Sequence, residues 1–385
     1  MEYEEIAHRC FRCGYCKFTD DYQDFNCPSY VKFEFDTYAA GGRMWLINAW
    51  LNNEITTNKH YAEILYSCVT CGNCEKQCAL EIKDDLLNIF EAAKSELVSE
   101  GLIPPPVRDY FKAISINGNP YKEPQNERGK WAEGTDIQTF SDQEYLFYVG
   151  DVGSYDEGGK KMAKFVGVLL KEIGLSIGIL GNEEKSDGND VKALGEKWLF
   201  QQLAEDNIRK FNEMGVKKII TLDPHAFNAF TNDYPKLGGN YEVWHYTQIL
   251  AMLIKNKKIP ISEYRVKVTY HDPCYLGRHN DVYNAPREIL ENIPGLELME
   301  MNRNRENAFC CGGGGGNFFT DILGVGEESP SRIRVREALD TGAEILAVAC
   351  PLCSKMLDDA VKAEGLEEKI KVQDVAEIVK QGFKI

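Results

Sequence analysis

Two adjacent cysteines near the C-terminal end, Cys310 and Cys311, run into five glycines, Gly312 to Gly316. Cys274 stands upstream in His271-Asp272-Pro273-Cys274, and Cys350-Pro351-Leu352-Cys353 follows downstream. Five thiols therefore fall in three short segments. Adjacent thiolates suit a single tetrahedral ion poorly but can share a multi-iron cluster. Glycines, Gly312 and Gly313 first, then let the backbone come close and offer amides to cluster sulfur. The glycine run lacks the lysine and the serine or threonine of a phosphate-binding loop, and no dinucleotide fingerprint is visible, so any flavin belongs to a partner.

Eight further cysteines lie in the first third of the chain. Cys10, Cys13 and Cys16 form a triplet followed by Cys27-Pro28, and Cys68, Cys71 and Cys74 form a second followed by Cys78. In two-cluster ferredoxins each triplet holds a 4Fe–4S cube whose fourth ligand comes from the other run. That grammar assigns Cys10, Cys13, Cys16 and Cys78 to one cube and Cys68, Cys71, Cys74 and Cys27 to the other. Zinc favours paired C-x-x-C knuckles and fits two triplets less well. The spacing departs from the compact ferredoxin run in two ways: ten residues separate Cys16 from Cys27, and Ala79 rather than proline follows Cys78.

Helices and strands must position these loops. Gly42 to Leu51 reads as a helix with Met44, Trp45, Ile47 and Leu51 on its apolar side, and Leu86, Leu87, Phe90, Ala93 and Leu97 keep helical spacing up to Gly101. Residues 1–104 thus read as an α-helical ferredoxin domain. Pro104-Pro105-Pro106 and the polar stretch from Asn117 to Gln143 make 105–143 a surface connection. Strands are expected at Tyr145 to Val149, Leu175 to Leu180 and Lys217 to Leu222, with helices around Met162 to Ile173 and Leu194 to Met214 between them. Strands recur at Arg265 to Tyr270, Leu296 to Met301 and Glu344 to Ala349. The fold class is α+β multidomain, a helical ferredoxin domain followed by a pseudo-duplicated α/β region with parallel sheets.

The two α/β halves, 144–262 and 263–385, superpose as patterns. Asp151 takes the place of Cys274, Ser186-Asp187-Gly188 that of Cys310-Cys311-Gly312, and Asp223-Pro224-His225-Ala226 that of the last motif. The first half reads as a cluster site that has lost its thiols. Its loop carboxylates are expected to be solvated on a scaffold; a hard-metal or substrate pocket at Asp151, Asp187, Asp223 and His225 is the alternative.

With 385 residues, 43% hydrophobic and 27% charged, the chain is long enough for two or three domains with ample core. A net charge of −16 without a basic stripe argues against nucleic acid and anionic membrane surfaces as partners. Thirteen cysteines is odd and high for a cytosolic chain, which favours metal over disulfides. No window reads as a membrane span and the acidic start is no secretory signal, so the expectation is a cytoplasmic protein, associated with a membrane only through a partner subunit.

The two ferredoxin motifs together with Cys274, Cys310, Cys311, Cys350 and Cys353 resemble the CCG-domain iron–sulfur oxidoreductases, specifically the D-type heterodisulfide reductase family, in which a C-type ferredoxin part is fused to a B-type CCG part. The resemblance spans nearly the whole chain. It implies two 4Fe–4S cubanes and one non-cubane 4Fe–4S cluster held by the five C-terminal cysteines, which form the catalytic site. An ordinary cube with one cysteine free is the other form that site can take. The full catalytic part of the family carries two CCG motifs and this chain keeps one, as does the catalytic subunit of the sulfite-reduction-associated membrane complex.

Two functions follow from the resemblance. In the first, part of anaerobic energy metabolism, electrons pass one at a time from the cubanes to the C-terminal centre, where a disulfide or a protein persulfide is reduced or formed. His271 and His225 are then the nearby proton donors, although a histidine bonded to loop backbone is the simpler expectation for each. Arg278, His279, Arg303 and Arg305 either hold an anionic substrate tail or serve the loops. In the second, the chain relays electrons between a flavoprotein (electron-transfer flavoprotein or dehydrogenase) and a membrane cytochrome-type or quinone-reducing partner, without disulfide chemistry of its own.

Overall fold

The computed structural model describes every residue except 257, 260 and 383–385. Its N-terminal part is built from short helices joined by cysteine-bearing loops. Ala40–Leu51, Lys59–Tyr66 and Leu86–Ser99 are the longest before residue 100. Asn58 caps the second of these by accepting the Tyr61 amide at 3.0 Å, and Pro28 opens a helix directly after Cys27. The inward side of Ala40–Leu51 differs from the apolar stripe expected: Met44 and Ile47 are buried, but Trp45 is 55% exposed. Arg43 takes an inward position because its guanidinium bridges the Ile64 carbonyl and the Ser29 and Ser67 hydroxyls at 2.7–2.9 Å. Gly42 is fixed by close approach, since a Cβ there would lie 2.0 Å from the Asp36 carbonyl oxygen.

Among the described residues nine strands make two sheets. The first contains β1 (Gln138–Thr139), β2 (Tyr145–Tyr148), β3 (Ile177–Ile179), β4 (Lys218–Thr221) and β5 (Glu242–His245), in the order β1-β3-β2-β4-β5. The second contains β6 (Val266–Tyr270), β7 (Leu296–Leu298), β8 (Ile345–Val348) and β9 (Lys371–Asp374), in the order β7-β6-β8-β9. Every pairing is parallel. Leaving aside the added edge strand β1, the two orders are the same, so the repeat in the sequence is a repeat in topology. Helices cross between the strands, Glu157–Glu172 and Lys197–Glu213 in the first half, Pro330–Asp340 and Pro351–Ala363 in the second.

Strand alternation decides which layer each residue serves. In β2 and β4, Phe147 and Ile220 face a core shared with the second sheet, where Val268, Tyr270, Leu346 and Val348 lie. Leu146, Tyr148 and Ile219 face the opposite way, into a core shared with the ferredoxin helices through Leu65, Phe90 and Leu97. The first sheet is thus buried on both faces and is the layer that joins the two cysteine-bearing parts. At about 25 cal/mol per Å² of apolar surface removed from water, each such double-sided strand contributes several kcal/mol to that union.

The segment expected as a surface connection is exposed at many positions but is anchored by buried side chains. Pro105–Asn117 is a helix whose Val107, Tyr110, Phe111 and Ile114 are buried. Its three prolines mark the helix start, where a missing N–H costs nothing, rather than a break. Beyond it, Asn119, Arg128 and Trp131 are buried as well. β5 and β9 were not anticipated because their charged first residues hide two-residue apolar alternation at a sheet edge.

Candidate iron–sulfur centres

The first triplet and Cys78 line one cavity of about 200 Å³, which also takes in Phe11, Leu80 and Leu86. Cys16, Cys27, Cys68, Cys71 and Cys74 line a second, tighter one, so Cys16 lies between the two cavities. Gly14 and Gly72, at φ +83 and +74, turn the chain within each triplet. Burial drives the Cys16 thiol up to about 12 against the Gly41 amide, which donates to its sulfur at 3.3 Å. It raises Cys10, Cys27, Cys74 and Cys78 too. Desolvated thiols clustered in this way fit a metal centre, whose binding expels their protons.

The five C-terminal thiols sit where a parallel sheet collects its ligands, beyond the carboxyl ends of the strands. Cys274 follows β6, Cys310 and Cys311 follow β7, and Cys350 caps the helix after β8, its sulfur accepting the Cys353 amide at 3.4 Å. All five are at most 7% exposed. Sulfur–sulfur distances are 4.0 Å for Cys274–Cys310 and 3.3 Å for Cys311–Cys353, and the Gly312 amide donates to Cys310 at 3.3 Å. Asp272 holds the first loop, bonded to both terminal nitrogens of Arg287 at 2.6 and 2.9 Å and to the Arg305 amide at 2.8 Å.

The glycine run does more than approach its own thiols. A Cβ on Gly313 would lie 2.3 Å from Leu352, and on Gly314 and Gly315 it would lie 2.6 and 2.8 Å from the carbonyl oxygens of Val69 and Cys68. These glycines let the loop press against the ferredoxin loop. Across that junction Cys71 is drawn down to about 6, chiefly by a hydrogen bond with Cys310, then by Arg278 against the opposing cost of burial. Cys71, Cys274 and Cys310 pack in one apolar cluster with Val69, Tyr275 and Leu323.

The basic residues around this junction are structural. Arg278 is buried and donates to the Cys71 and Ala308 carbonyls at 2.6 Å and to Glu306 at 3.2 Å. Burial lowers His279 to about 4, so the neutral ring donates from Nε2 to the Thr70 carbonyl at 2.8 Å. Arg303 bonds the Phe25 carbonyl at 2.7 Å and the Glu337 carboxylate. None of the three is free to hold a substrate tail; Arg305, bonded to Asn284 on the surface, is not at the centre either.

The two candidate proton donors do not bond loop backbone through their rings as expected. Arg334 donates to His271 Nδ1 at 3.2 Å, and burial holds this histidine below its ordinary value. His225 stacks on Tyr275 at 4.2 Å and bonds Asp190 at 3.1 Å. Burial opposes its charge, but Asp190 and Asp223 prevail and raise it.

The carboxylates of the first half are not solvated. Asp151, Asp187 and Asp223 are all at most 8% exposed. Arg128, fully buried, binds Asp151 at 2.7 Å and Glu184 at 3.1 Å. Asp187 is pushed up to about 8 by burial and then by Asp223. Asp223, His225 and Cys350 bring their ligand atoms within 4.8 Å of one another, so this acidic pocket abuts the thiol site. Arg128, Glu184 and Asp190 were missed from sequence. Arg128 lies in the expected connection, and only the fold brings the three together.

Known families and structures match in the same places. The 4Fe-4S dicluster domain family matches residues 6–82 and the cysteine-rich domain family, CCG, matches residues 268–358. The chain is 40% identical over 333 residues to a probable iron-sulfur-binding oxidoreductase, FadF, of Bacillus subtilis, and 35% identical over 332 residues to an EtfAB:quinone oxidoreductase of Syntrophomonas wolfei. Each alignment takes in 83% of this chain but 46% of the relative, so the chain spans about half the length of these proteins. A crystal structure of a hypothetical protein from Helicobacter pylori shares the fold, with a TM-score of 0.54 at 11% identity over 89% of this chain and 67% of that one. The D-type component of the dihydromethanophenazine:CoB–CoM heterodisulfide reductase of Methanosarcina barkeri is 33% identical over 338 residues, which make up 84% of this chain and 79% of that protein. With both cysteine signatures in place along such an alignment, this chain belongs to the D-type heterodisulfide reductase family of iron–sulfur oxidoreductases.

Proposed function

We propose that the chain is an electron relay. Cys10, Cys13, Cys16 and Cys78 hold one 4Fe–4S centre, Cys68, Cys71, Cys74 and Cys27 a second, and Cys274, Cys310, Cys311, Cys350 and Cys353 a third of non-cubane type. Such centres supply one-electron carriers. The domains run 1–104, 105–143, 144–262 and 263–385, with the connection folded into the body of the protein. The observation that carries this reading is the packing of Cys71, from the second ligand set, in one buried cluster with Cys274 and Cys310, from the third. Electrons enter at the first set, where Cys13 is the exposed cysteine. The name of the Syntrophomonas wolfei relative, an EtfAB:quinone oxidoreductase, favours a flavoprotein donor and a quinone acceptor. Among the described residues no helix is long and apolar enough to cross a membrane.

Reduction of a disulfide is the second reading, favoured by the heterodisulfide reductase relatives. It would consume two electrons and two protons per disulfide cleaved. His225 and the acidic pocket beside Cys350 are the groups placed to pass protons.

Iron and acid-labile sulfide on anaerobic protein, with EPR before and after a thiol is added, test both. About twelve irons per chain, as three four-iron centres, support the ligand assignment. Rapid reduction by a reduced electron-transfer flavoprotein with a thiol-insensitive signal supports the relay. A signal changed by thiol, with turnover of a disulfide, replaces it by the second reading. About eight irons per chain removes the third centre.

A further inference from the structure

His271 is 1% exposed and lies three residues before Cys274, in the loop that leaves β6. Its two ring nitrogens have different neighbours. Nδ1 accepts from Arg334 Nε at 3.2 Å. Arg334 is itself fully buried, and another of its nitrogens donates to the Arg303 carbonyl at 2.7 Å and to Glu337 at 2.9 Å, so the donor aimed at His271 is anchored. A guanidinium always presents protons, never a lone pair. Nδ1 must therefore be the unprotonated nitrogen, and the neutral ring carries its proton on Nε2.

That Nε2 is buried and makes no hydrogen bond among the described residues. A buried donor left unpaired costs about 1–3 kcal/mol, which makes such an atom rare without a purpose. His271 and the sulfurs of Cys311 and Cys353 nevertheless converge, their ligand atoms all within 4.8 Å of one another. With Nδ1 turned to Arg334, the Nε2–H edge is the part of the ring left to engage sulfur. A nitrogen that holds a proton cannot also give its lone pair to iron, so the same geometry makes His271 a donor to sulfur and not a sixth ligand.

We propose that His271 is a positioning residue that donates an Nε2–H···S hydrogen bond to the sulfur of Cys311 in the C-terminal centre, that Arg334 fixes the tautomer which makes this possible, and that the pair raises the reduction potential of that centre. A hydrogen bond to ligand sulfur stabilises the more negative, reduced state, and hydrogen bonds to sulfur are among the levers that set such potentials. The inference rests on the reading of the five cysteines as cluster ligands. It takes His271 out of the set of proton donors: a ring clamped by Arg334 on one side and engaged with sulfur on the other delivers no proton to substrate.

The test is a redox titration followed by EPR on the anaerobically purified full chain, as wild type, His271→Gln, His271→Leu and Arg334→Lys, with iron measured on each sample. All four are expected to keep the wild-type iron content. The potential of the C-terminal centre should move to more negative values in His271→Leu, by a smaller step in His271→Gln, which retains an N–H, and in the same direction in Arg334→Lys. Pulsed EPR on the wild type in heavy water, which needs no substitution, should show an exchangeable deuteron coupled to this centre, lost in His271→Leu. Full iron with an unshifted potential and an unchanged deuteron coupling overturns the proposal. So does the strong nitrogen coupling of a directly bound imidazole, or loss of iron from His271→Gln, since either makes the residue a ligand. If the wild type itself holds only about eight irons, the reading of the C-terminal site fails and the proposal falls with it.

Discussion

Removing the guanidinium of Arg278 should loosen the junction between the ferredoxin loop and the C-terminal centre. This side chain reaches the carbonyls of Cys71 and Ala308 at 2.6 Å and that of Glu306 at 3.2 Å, so one buried cation ties two loops more than two hundred residues apart in sequence. A hydrogen bond from a charged donor contributes about 1.5–3 kcal/mol net, and two of these three are short. Arg278→Met keeps most of the apolar stem but leaves two buried carbonyls without a donor, for a loss of about 3–5 kcal/mol. Global unfolding of a cluster protein is not a reversible two-state process. Native-state hydrogen exchange of the amides in residues 68–74 and 305–311 is the better assay. A local loss of about 3 kcal/mol corresponds to roughly a hundredfold faster exchange in both segments. Arg278→Lys keeps the charge but not the fork, and should recover less than half of the protection. Exchange that stays at the wild-type rate in both segments of Arg278→Met, in a protein that retains its iron, would refute the clamp.

Other outcomes follow from the same geometry. Cys78→Ser should alter the first N-terminal centre and Cys27→Ser the second, each lowering iron by up to about four atoms per chain while the other centre keeps its EPR signal; a signal lost from the wrong centre in either variant would overturn the crossed assignment. Gly314→Ala sets a methyl 2.6 Å from the rigid Val69 carbonyl, so the loops must part. A local cost of about 1–3 kcal/mol and slower electron transfer into the C-terminal centre are expected, read by native-state hydrogen exchange and by rapid-freeze EPR. Asp187 is raised by burial and then Asp223, to about 8 from an ordinary 3.8. A carboxyl group with a raised folded value favours the fold in its protonated form. Its contribution is therefore complete below about pH 3.8 and is lost as pH rises toward 8. Asp187→Asn should lose less stability than wild type across that window, as read by native-state hydrogen-exchange protection factors at pH 5 and 8, and equal losses would remove the buried acid.

The cysteines and their spacing were enough to name the chemistry and the family, because metal ligation depends on residue type and short-range order, both of which a sequence displays directly. The strand–helix rhythm and the repeat of the two halves were legible for a similar reason: β2 and β8 are continuous apolar runs, and β4 and β6 place β-branched residues between turns. Legibility failed where a residue's environment is made by distant parts of the chain. Asp151, Asp187 and Asp223 look like ordinary loop carboxylates, and only the packing of both sheets against the ferredoxin helices takes them out of water. Arg128 and Arg278 look like surface charges, and tertiary structure turns each into a buried cross-link, one to Asp151 and Glu184, the other to three carbonyls. The glycine run announced close approach, but not that part of what approaches is the Cys68–Val69 backbone. His271 shows the division most clearly. Its place three residues before a cysteine is written in the chain, whereas its tautomer is decided by Arg334, a neighbour brought 63 positions along the sequence by a helix that packs behind the site.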